Sequence, residues 1–315
     1  MELQKLRILH HAAACGFNLT KAAEALHTSQ PGVSRQIREL EEELGVALFI
    51  RSGKRLSGMT EPGREVLEIA DRVLAEVNNI RNVPSRFRQR ESGVLRASVD
   101  ARCQVRLPEI LARFHALYPQ VRAVVRGMNG VETGAALLND EADIGLAGDR
   151  LRDVRDLAVF PCFSMTFTAA IPLSLPPAKA RCPTLESLAE HPLLTCCGGS
   201  EARRCVDNAF SAAGIRPNIV ITADDPACLI RCAARGMGIA VFCGEAPVQE
   251  KGVRLRDMSD VFGKVSFFVA LRRGRILRDF EIQFTRYLLP NIDEETLRRV
   301  VMSREMPSYV PGYAI

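Results

Sequence analysis

The stretch TSQPGVSRQIRELEEELG, from Thr28 to Gly45, sets Ser29, Gln30, Ser34, Arg35 and Arg38 on a polar run that leads straight into an amphipathic helix. These residue types suit contact with double-stranded DNA. A glutamine amide offers donor and acceptor together to a base edge, an arginine reaches guanine or phosphate, and serine hydroxyls beside helix-start N–H groups suit phosphate. Thr28 and Pro31 share this surface, proline fitting a first helical turn where its missing N–H is not needed. A second set of reactive types lies further along: Arg102 in SVDAR, Glu201 closing TCCGGSE, and Cys196, Cys197 and Cys205 beside Arg203 and Arg204. The arginine and the carboxylate could hold the two ends of a small polar ligand. The thiols, next to cations that lower a cysteine's pKa, raise a redox reading.

The elements that must position the first set are legible from periodicity. Leu3, Leu6, Leu9 and Ala13 make residues 2–14 a helix ended by Gly16, Asn18 caps a second helix over LTKAAEAL, and Ser29 caps a third whose buried side is Val33, Ile37, Leu40 and Leu44. Two short helices joined by a tight turn form a helix-turn-helix, the second exposing the polar residues. LFIRSGKRLSGMT then reads as strand, basic turn, strand, with Leu48 and Ile50 alternating and with Arg51, Lys54 and Arg55 around Gly53 placed to hold a phosphate backbone. Pro62 starts a long helix with Val66, Ile69, Ala70, Val73, Val77 and Ile80 on one side, a stripe suited to pairing two copies over symmetric half-sites.

The second set sits among alternating helix and strand units, which argue for a parallel α/β sheet with ligand contacts at the carboxyl ends of its strands. By that rule the candidate effector contacts are Ser98, Asp100, Ala101, Arg102, Asn129, Gly148, Met165, Thr195, Glu201, Arg203, Thr222 and Asp224. NVPSRFRQRESG reads as a basic hinge before this part.

The totals agree with two domains. The 315 residues are 47% hydrophobic and 25% charged, which excludes large-scale disorder, and the net charge of +5 is compatible with a polyanionic partner. No apolar run of about 18 residues and no signal-peptide pattern is present, so the expected location is the cytoplasm and no membrane is involved. The ten cysteines are then expected as thiols, without the paired spacing of a zinc site, and the five histidines show no metal-ligand spacing. No G-x-S-x-G, H-E-x-x-H, phosphate-binding loop or dinucleotide fingerprint occurs, so neither enzyme activity, a cofactor nor a metal is expected.

The run AAEALHTSQPGVSRQIRELEEELGVALFIRSGKRL, followed by T-x-P-G, resembles the N-terminal domain of LysR-type transcriptional regulators, and TSQPGVSRQIRELEEELG with RSGKRL is most similar to the CysB/Cbl branch. The resemblance extends over residues 1 to about 292, because two α/β lobes with a cleft between them resemble the periplasmic-binding-protein fold of that family's effector domain. It implies a winged helix-turn-helix over 1–60, a linker helix and hinge over 61–92, an effector domain over 93–292 and a C-terminal tail over 293–315. Within the effector domain, lobe I would take about 93–163 and 268–292, and lobe II about 164–267. It further implies a homotetramer built from homodimers on promoter DNA, a small-molecule effector in the cleft and, from the branch, a sulfate-like or acylated-serine ligand and control of sulfur or amino-acid metabolism genes. The chain departs from the branch: Ala101 and Arg102 stand where it has Thr-Gln, and Gly148 and Glu201 replace threonines. A zwitterionic, amino-acid-like ligand is therefore expected, Arg102 taking the acid group and Glu201 the amine, unless those two pair with each other or face solvent. The alternatives are a redox-sensing regulator using Cys196, Cys197 and Cys205, or a solute-binding protein.

Overall fold

The structure, a computed structural model, describes residues 2–53, 55–83, 92–180 and 182–303. These fall into two compact units, one over residues 1–88 with Gly274–Ile276 and one over 89–273 and 277–315.

The first unit comprises α1 (Leu3–Ala14), α2 (Leu19–Ala25), α3 (Gln30–Leu44), β1 (Phe49–Ser52), β2 (Arg55–Met59) and α4 (Glu61–Asn82). Its helix ends are set by side chains. Asn18 Oδ1 accepts from the N–H groups of Thr20 and Lys21 at 3.1 and 3.2 Å, Ser29 Oγ accepts from Gly32 N–H at 3.3 Å, and Gly45 stops α3 in the left-handed region at φ 71°. Leu6, Leu9, Val33, Ile37, Leu40, Leu48, Phe49 and Met59 form the core. The expected alternation of Leu48 with Ile50 fails: Leu48 and Phe49 are buried together and Ile50 is 51% exposed. The reason is that the strand starts only at Phe49 and bulges between Ile50 and Arg51, so Leu48 packs from the preceding turn. Leu44 is likewise exposed, lying in the last turn of α3 beyond the core. Along α4, Ala70 is buried, whereas Ile69 and Ile80 are 51% and 70% exposed. The hinge reading falls on residues 84–91, outside the described residues, and so does Lys54.

The second unit carries β3 (Gly93–Val99), α5 (Leu107–Leu117), β4 (Val121–Gly127), α6 (Gly130–Leu138), β5 (Ile144–Ala147), β6 (Leu157–Pro172), α7 (Leu185–Ala189), β7 (Leu193–Thr195), α8 (Glu201–Ala212), β8 (Ile219–Thr222), α9 (Pro226–Ala234), β9 (Ile239–Cys243), β10 (Val253–Asp257), α10 (Ser259–Phe262), β11 (Lys264–Arg272), α11 (Asp279–Leu288) and α12 (Glu294–Met302). The strands join in the order β4-β3-β5-β11-β6-β9-β7-β8, with β10 also on β6. β3 is parallel to β4 and β5, and β7 is parallel to β8 and β9, so each end of the sheet is a parallel α/β lobe. Both lobes hang on two long antiparallel strands. The 16-residue β6 pairs first with β11, from Leu157 to Thr166, and then with β9 and β10, from Phe167 to Pro172. The pairing register of β11 with β6 shifts between Phe267 and Phe268, where Phe163 stacks on Phe267 at 5.4 Å.

From Asp293 the sequence looks polar, yet α12 forms there. Asp293 Oδ1 caps it by accepting from Thr296 N–H at 2.7 Å, and Leu297, Val300 and Val301 are buried in the main core. Their i, i+3, i+4 spacing makes one narrow apolar stripe within a charged helix. Among the described residues no helix is long and apolar enough to cross a membrane.

Candidate functional site: an interlobe cavity and a nucleic-acid face

Strand ends of both lobes surround a cavity of about 490 Å³. β3 is followed by Asp100, whose carboxylate accepts from Arg102 N–H at 3.1 Å and from the Arg102 guanidinium through Nε at 2.8 Å and Nη2 at 2.6 Å. Both side chains are nearly buried, 7% and 10% exposed, and the guanidinium lies over the Phe267 ring at 5.3 Å. Burial works against the charge of Arg102, but the hydrogen bonds and charge of Asp100 together outweigh it and hold the guanidinium above its ordinary pKa. Its Nη1 is buried without a partner. β4 leads into α6, where Asn129 Oδ1 accepts from Val131 and Glu132 N–H at 3.0 Å and the Glu132 carboxylate accepts from Asn129 N–H, a reciprocal cap. Opposite them, β7 runs out through Cys196, Cys197, Gly198 and Gly199 to Ser200, which caps α8 by accepting from Arg203 N–H at 3.2 Å. Glu201, the first residue of α8, accepts from Arg204. Gly148 faces it: a Cβ there would stand 3.7 Å from Glu201 Cβ.

Of the residues expected at an effector site, Asp100, Ala101, Arg102, Asn129, Gly148, Glu201 and Asp224 line this cavity, and Ser98, Met165, Thr195, Arg203 and Thr222 do not. Ser98 is buried with its Oγ 2.8 Å from Thr133 Oγ1, beneath α6. Thr195 donates its hydroxyl to Val241 O at 2.9 Å, on the neighbouring strand. Met165 lies in the core, Thr222 is exposed at the end of β8, and Arg203 is turned to Asp207 at 2.8 Å and to Cys196 O at 3.3 Å. The lining residues come from the turns just beyond the strands and from the first positions of α6 and α8, whereas Ser98, Met165, Thr195 and Thr222 lie within strands and Arg203 lies further along α8. Arg102 and Glu201 do not pair with each other; each holds a local partner. Glu132, Met128 and Arg150 also line the cavity and escaped the sequence reading. Glu132 is signalled by the Asn-x-x-Glu capping spacing and Met128 by its place just after β4.

At Cys205 the neighbouring arginines do not give the lowered thiol pKa on which the redox-sensing alternative draws. Arg203 and Arg204 are engaged elsewhere, and the Cys205 thiol is pushed up by burial and by the Glu201 charge, which together outweigh Arg204. Burial pushes Cys162 and Cys243 up to about 12. All ten cysteines are free thiols; Cys196 is buried and Cys197 half-buried at the cavity.

On the first unit, Thr28, Ser29, Gln30, Pro31, Arg35 and Arg38 are exposed and Ser34 half-buried along the start of α3. The Arg35 side chain is 81% exposed and tethered only by Nε to Glu39 at 2.8 Å, while Arg38 Nε reaches Ser34 O at 3.4 Å. Arg51 pairs with Glu41 at 2.7 Å, and Arg55 is exposed in the wing. Glu41 is the positioning residue that sequence pattern missed: its Oε1 accepts from Leu48 and Phe49 N–H at 2.9 and 3.1 Å, fastening the wing to α3.

Residues 3–64 match the family described as bacterial regulatory helix-turn-helix protein, lysR family, and residues 88–289 match the LysR substrate binding domain. The chain is 37% identical over 306 residues to the HTH-type transcriptional regulator cbl of Escherichia coli, covering 96% of each chain. It is 35% identical to SsuR of Burkholderia cenocepacia, over 93% of this chain and 96% of that one, and 32% identical to CysB of the same organism, over 98% and 99%. The crystal structure of the cofactor-binding domain of the Cbl transcriptional regulator superposes with a TM-score of 0.63 at 29% identity, over 67% of this chain and 94% of that one. A full-length OxyR from Pseudomonas aeruginosa shares the fold, with a TM-score of 0.65 at 20% identity over 93% and 99%. An N-terminal winged helix-turn-helix followed by a two-lobed α/β domain, matched over nearly the whole chain, makes this protein a member of the LysR family of transcriptional regulators.

Proposed function

We propose that this regulator acts in the cytoplasm without enzymatic activity, reads promoter DNA through α3 and the wing, and changes its DNA-bound state when a small molecule enters the interlobe cavity. The observation that carries the reading is the cavity itself: about 490 Å³ at the carboxyl ends of strands from both lobes, with a nearly buried arginine that keeps one unpartnered donor. Such a size suits a small metabolite, and a crevice at strand ends is where open α/β sheets bind ligands. The exposed Gln30 and Arg35 supply base-edge contacts, Arg38, Arg51 and Arg55 supply phosphate contacts, and the uncovered Ile69 and Ile80 of α4 supply an apolar face for pairing two chains, consistent with a dimer of dimers. Likeness to the CysB/Cbl branch supports target genes in sulfur or amino-acid metabolism. For the response to be allosteric, the ligand must favour one assembly state over the other.

The test selects a bound operator from a random DNA pool with the full chain and then measures its footprint with and without candidate ligands. Gly148→Leu, at a backbone of φ −73° that any residue adopts and where an added Cβ meets only ordinary contacts, puts a branched side chain into the cavity beside Glu201. It is expected to keep operator binding and lose every ligand-dependent footprint change. A retained ligand response in that variant would place the effector elsewhere.

A further inference from the structure

We infer that the cavity takes an ammonium-bearing ligand of amino-acid size with a single acceptor group, and excludes sulfate-like dianions. The inference rests on reading this cavity as the effector site. Five carboxylates line it, from Asp100, Glu132, Asp149, Glu201 and Asp224, against the two guanidinium groups of Arg102 and Arg150. Most of these charges are answered within the chain: Arg102 by Asp100, held bidentately, Arg150 by Asp153 at 3.8 Å, Asp149 by Arg152 at 3.2 Å and Glu201 by Arg204. Asp224 is exposed and has no ion pair among the described residues, so the balance facing a ligand is negative.

The two helix N-termini at the cavity would ordinarily attract an anion, because their N–H groups and dipoles favour negative charge. Here both carry their own acid in the first turn. Glu132 closes the reciprocal cap with Asn129 on the nine-residue α6, and Glu201 opens the 12-residue α8 beside the Ser200 cap. The chain has thus placed carboxylates where an anionic ligand would otherwise sit. A dianion in this space would meet Asp224, and Glu201 beside its Arg204 partner, while Arg102 and Arg150 are already paired.

One donor remains. Arg102 is nine-tenths buried, its Nε and Nη2 are spent on Asp100, and its Nη1 has no partner. A buried donor left unmade is costly, and a ligand oxygen brought within its reach, a carboxylate or a carbonyl, would satisfy it. Because Asp100 already neutralises the guanidinium, this acceptor need carry no more than one charge. Acceptor at Arg102 and ammonium toward Glu201 and Asp224 describe one molecule bridging both lobes, since Arg102 follows β3 and Glu201 follows β7.

The test is calorimetry and thermal shift on the full-length protein with named probes: the standard L-α-amino acids, taurine, putrescine, sodium sulfate, sodium thiosulfate, and sodium chloride at matched ionic strength. The N-acetyl derivative of each amine that binds keeps the acceptor and removes the ammonium. The expected result is saturable binding of at least one amine, a loss of tenfold or more on N-acetylation, and a loss of tenfold or more in Glu201→Gln or Asp224→Asn. Sulfate should act on the wild type no more than chloride does. Saturable sulfate or thiosulfate binding, absence of binding by every amine, or unchanged amine affinity in both variants would each overturn the ligand class. Gly148→Leu separates the two readings: a sulfate response abolished by it removes the ammonium inference and keeps the cavity, whereas a ligand response indifferent to it removes the cavity.

Discussion

Asp100→Asn probes the buried pair on which the cavity is built. The two side chains are 7% and 10% exposed and joined by bonds of 2.6 and 2.8 Å, so little solvent screens them. Asparagine can still accept from Arg102 N–H, which spares the cap and isolates the charge. Removing one partner of a buried pair leaves an uncompensated ion, at a cost of about 3–5 kcal/mol. In a domain of this size each kcal/mol moves the unfolding midpoint by roughly 2–4 °C, giving a fall of roughly 6–20 °C. The chain has no tryptophan, so circular dichroism or calorimetry is the suitable readout. Arg102→Met and the double variant complete a cycle. The double variant should lose less than the sum of the singles, with a coupling of about 2–3 kcal/mol, because neither charge is then left alone. Freeing the guanidinium should also let sulfate stabilise Asp100→Asn while leaving the wild type unaffected. A cost below about 1 kcal/mol for Asp100→Asn, or additive single losses, would refute the account of the pair.

Four other outcomes are expected. Arg35→Ala, removing an exposed side chain on α3, should weaken specific DNA binding by about 1–3 kcal/mol and relax base preference, checked by competition binding on the selected operator; equal losses on all sequences would assign it to the backbone instead. Arg55→Ala, alone or with Lys54→Ala, should weaken binding on every sequence and lower the salt slope by about 0.9 for each phosphate that is no longer neutralised; an unchanged slope would remove the wing from the backbone. Gly63→Ala should destabilise the winged unit by at least about 1–3 kcal/mol in thermal unfolding, since an added Cβ would come 2.0 Å from Leu48 O; wild-type stability would contradict this packing. Burial keeps Cys162 and Cys243 neutral up to about 12, whereas unfolded thiols ionise near the ordinary 9.0. Deprotonation in the unfolded chain therefore erodes stability as pH rises from about 9 toward 12, and below about pH 9 the two thiols cost nothing. Cys162→Ala with Cys243→Ala should flatten the fall in denaturation midpoint between about pH 9 and 11, and an unaltered slope would count against it.

Residues whose role is local are readable from the chain alone. Asn18, Ser29 and Gly45 punctuate helices through bonds and backbone angles within a few positions, and the helix-turn-helix and its polar face follow from them. The cavity was half legible. Asp100, Arg102, Asn129, Gly148 and Glu201 sit where strand ends must open, but Ser98 and Thr195, close to the same ends, are still inside their strands and are bonded to Thr133 and Val241. Whether a polar side chain near a strand end meets ligand or core depends on where the strand stops and the turn begins, a boundary that pattern places only to within a few residues. α12 shows the same limit at the level of an element, because its charged majority hides Leu297, Val300 and Val301.

The amino-acid sequence by itself determined the two domains, the winged helix-turn-helix, the alternating α/β order and the candidate loops, because periodicity, capping and turn chemistry act over a few residues. The tertiary structure decided who pairs with whom. Arg102 turned to Asp100 rather than Glu201, Glu201 to Arg204, Arg203 to Asp207 and Cys196, and Glu41 to the wing. A charged side chain has several possible partners within reach in sequence, and only burial and distance, set by strands brought together from 93 to 272, select one.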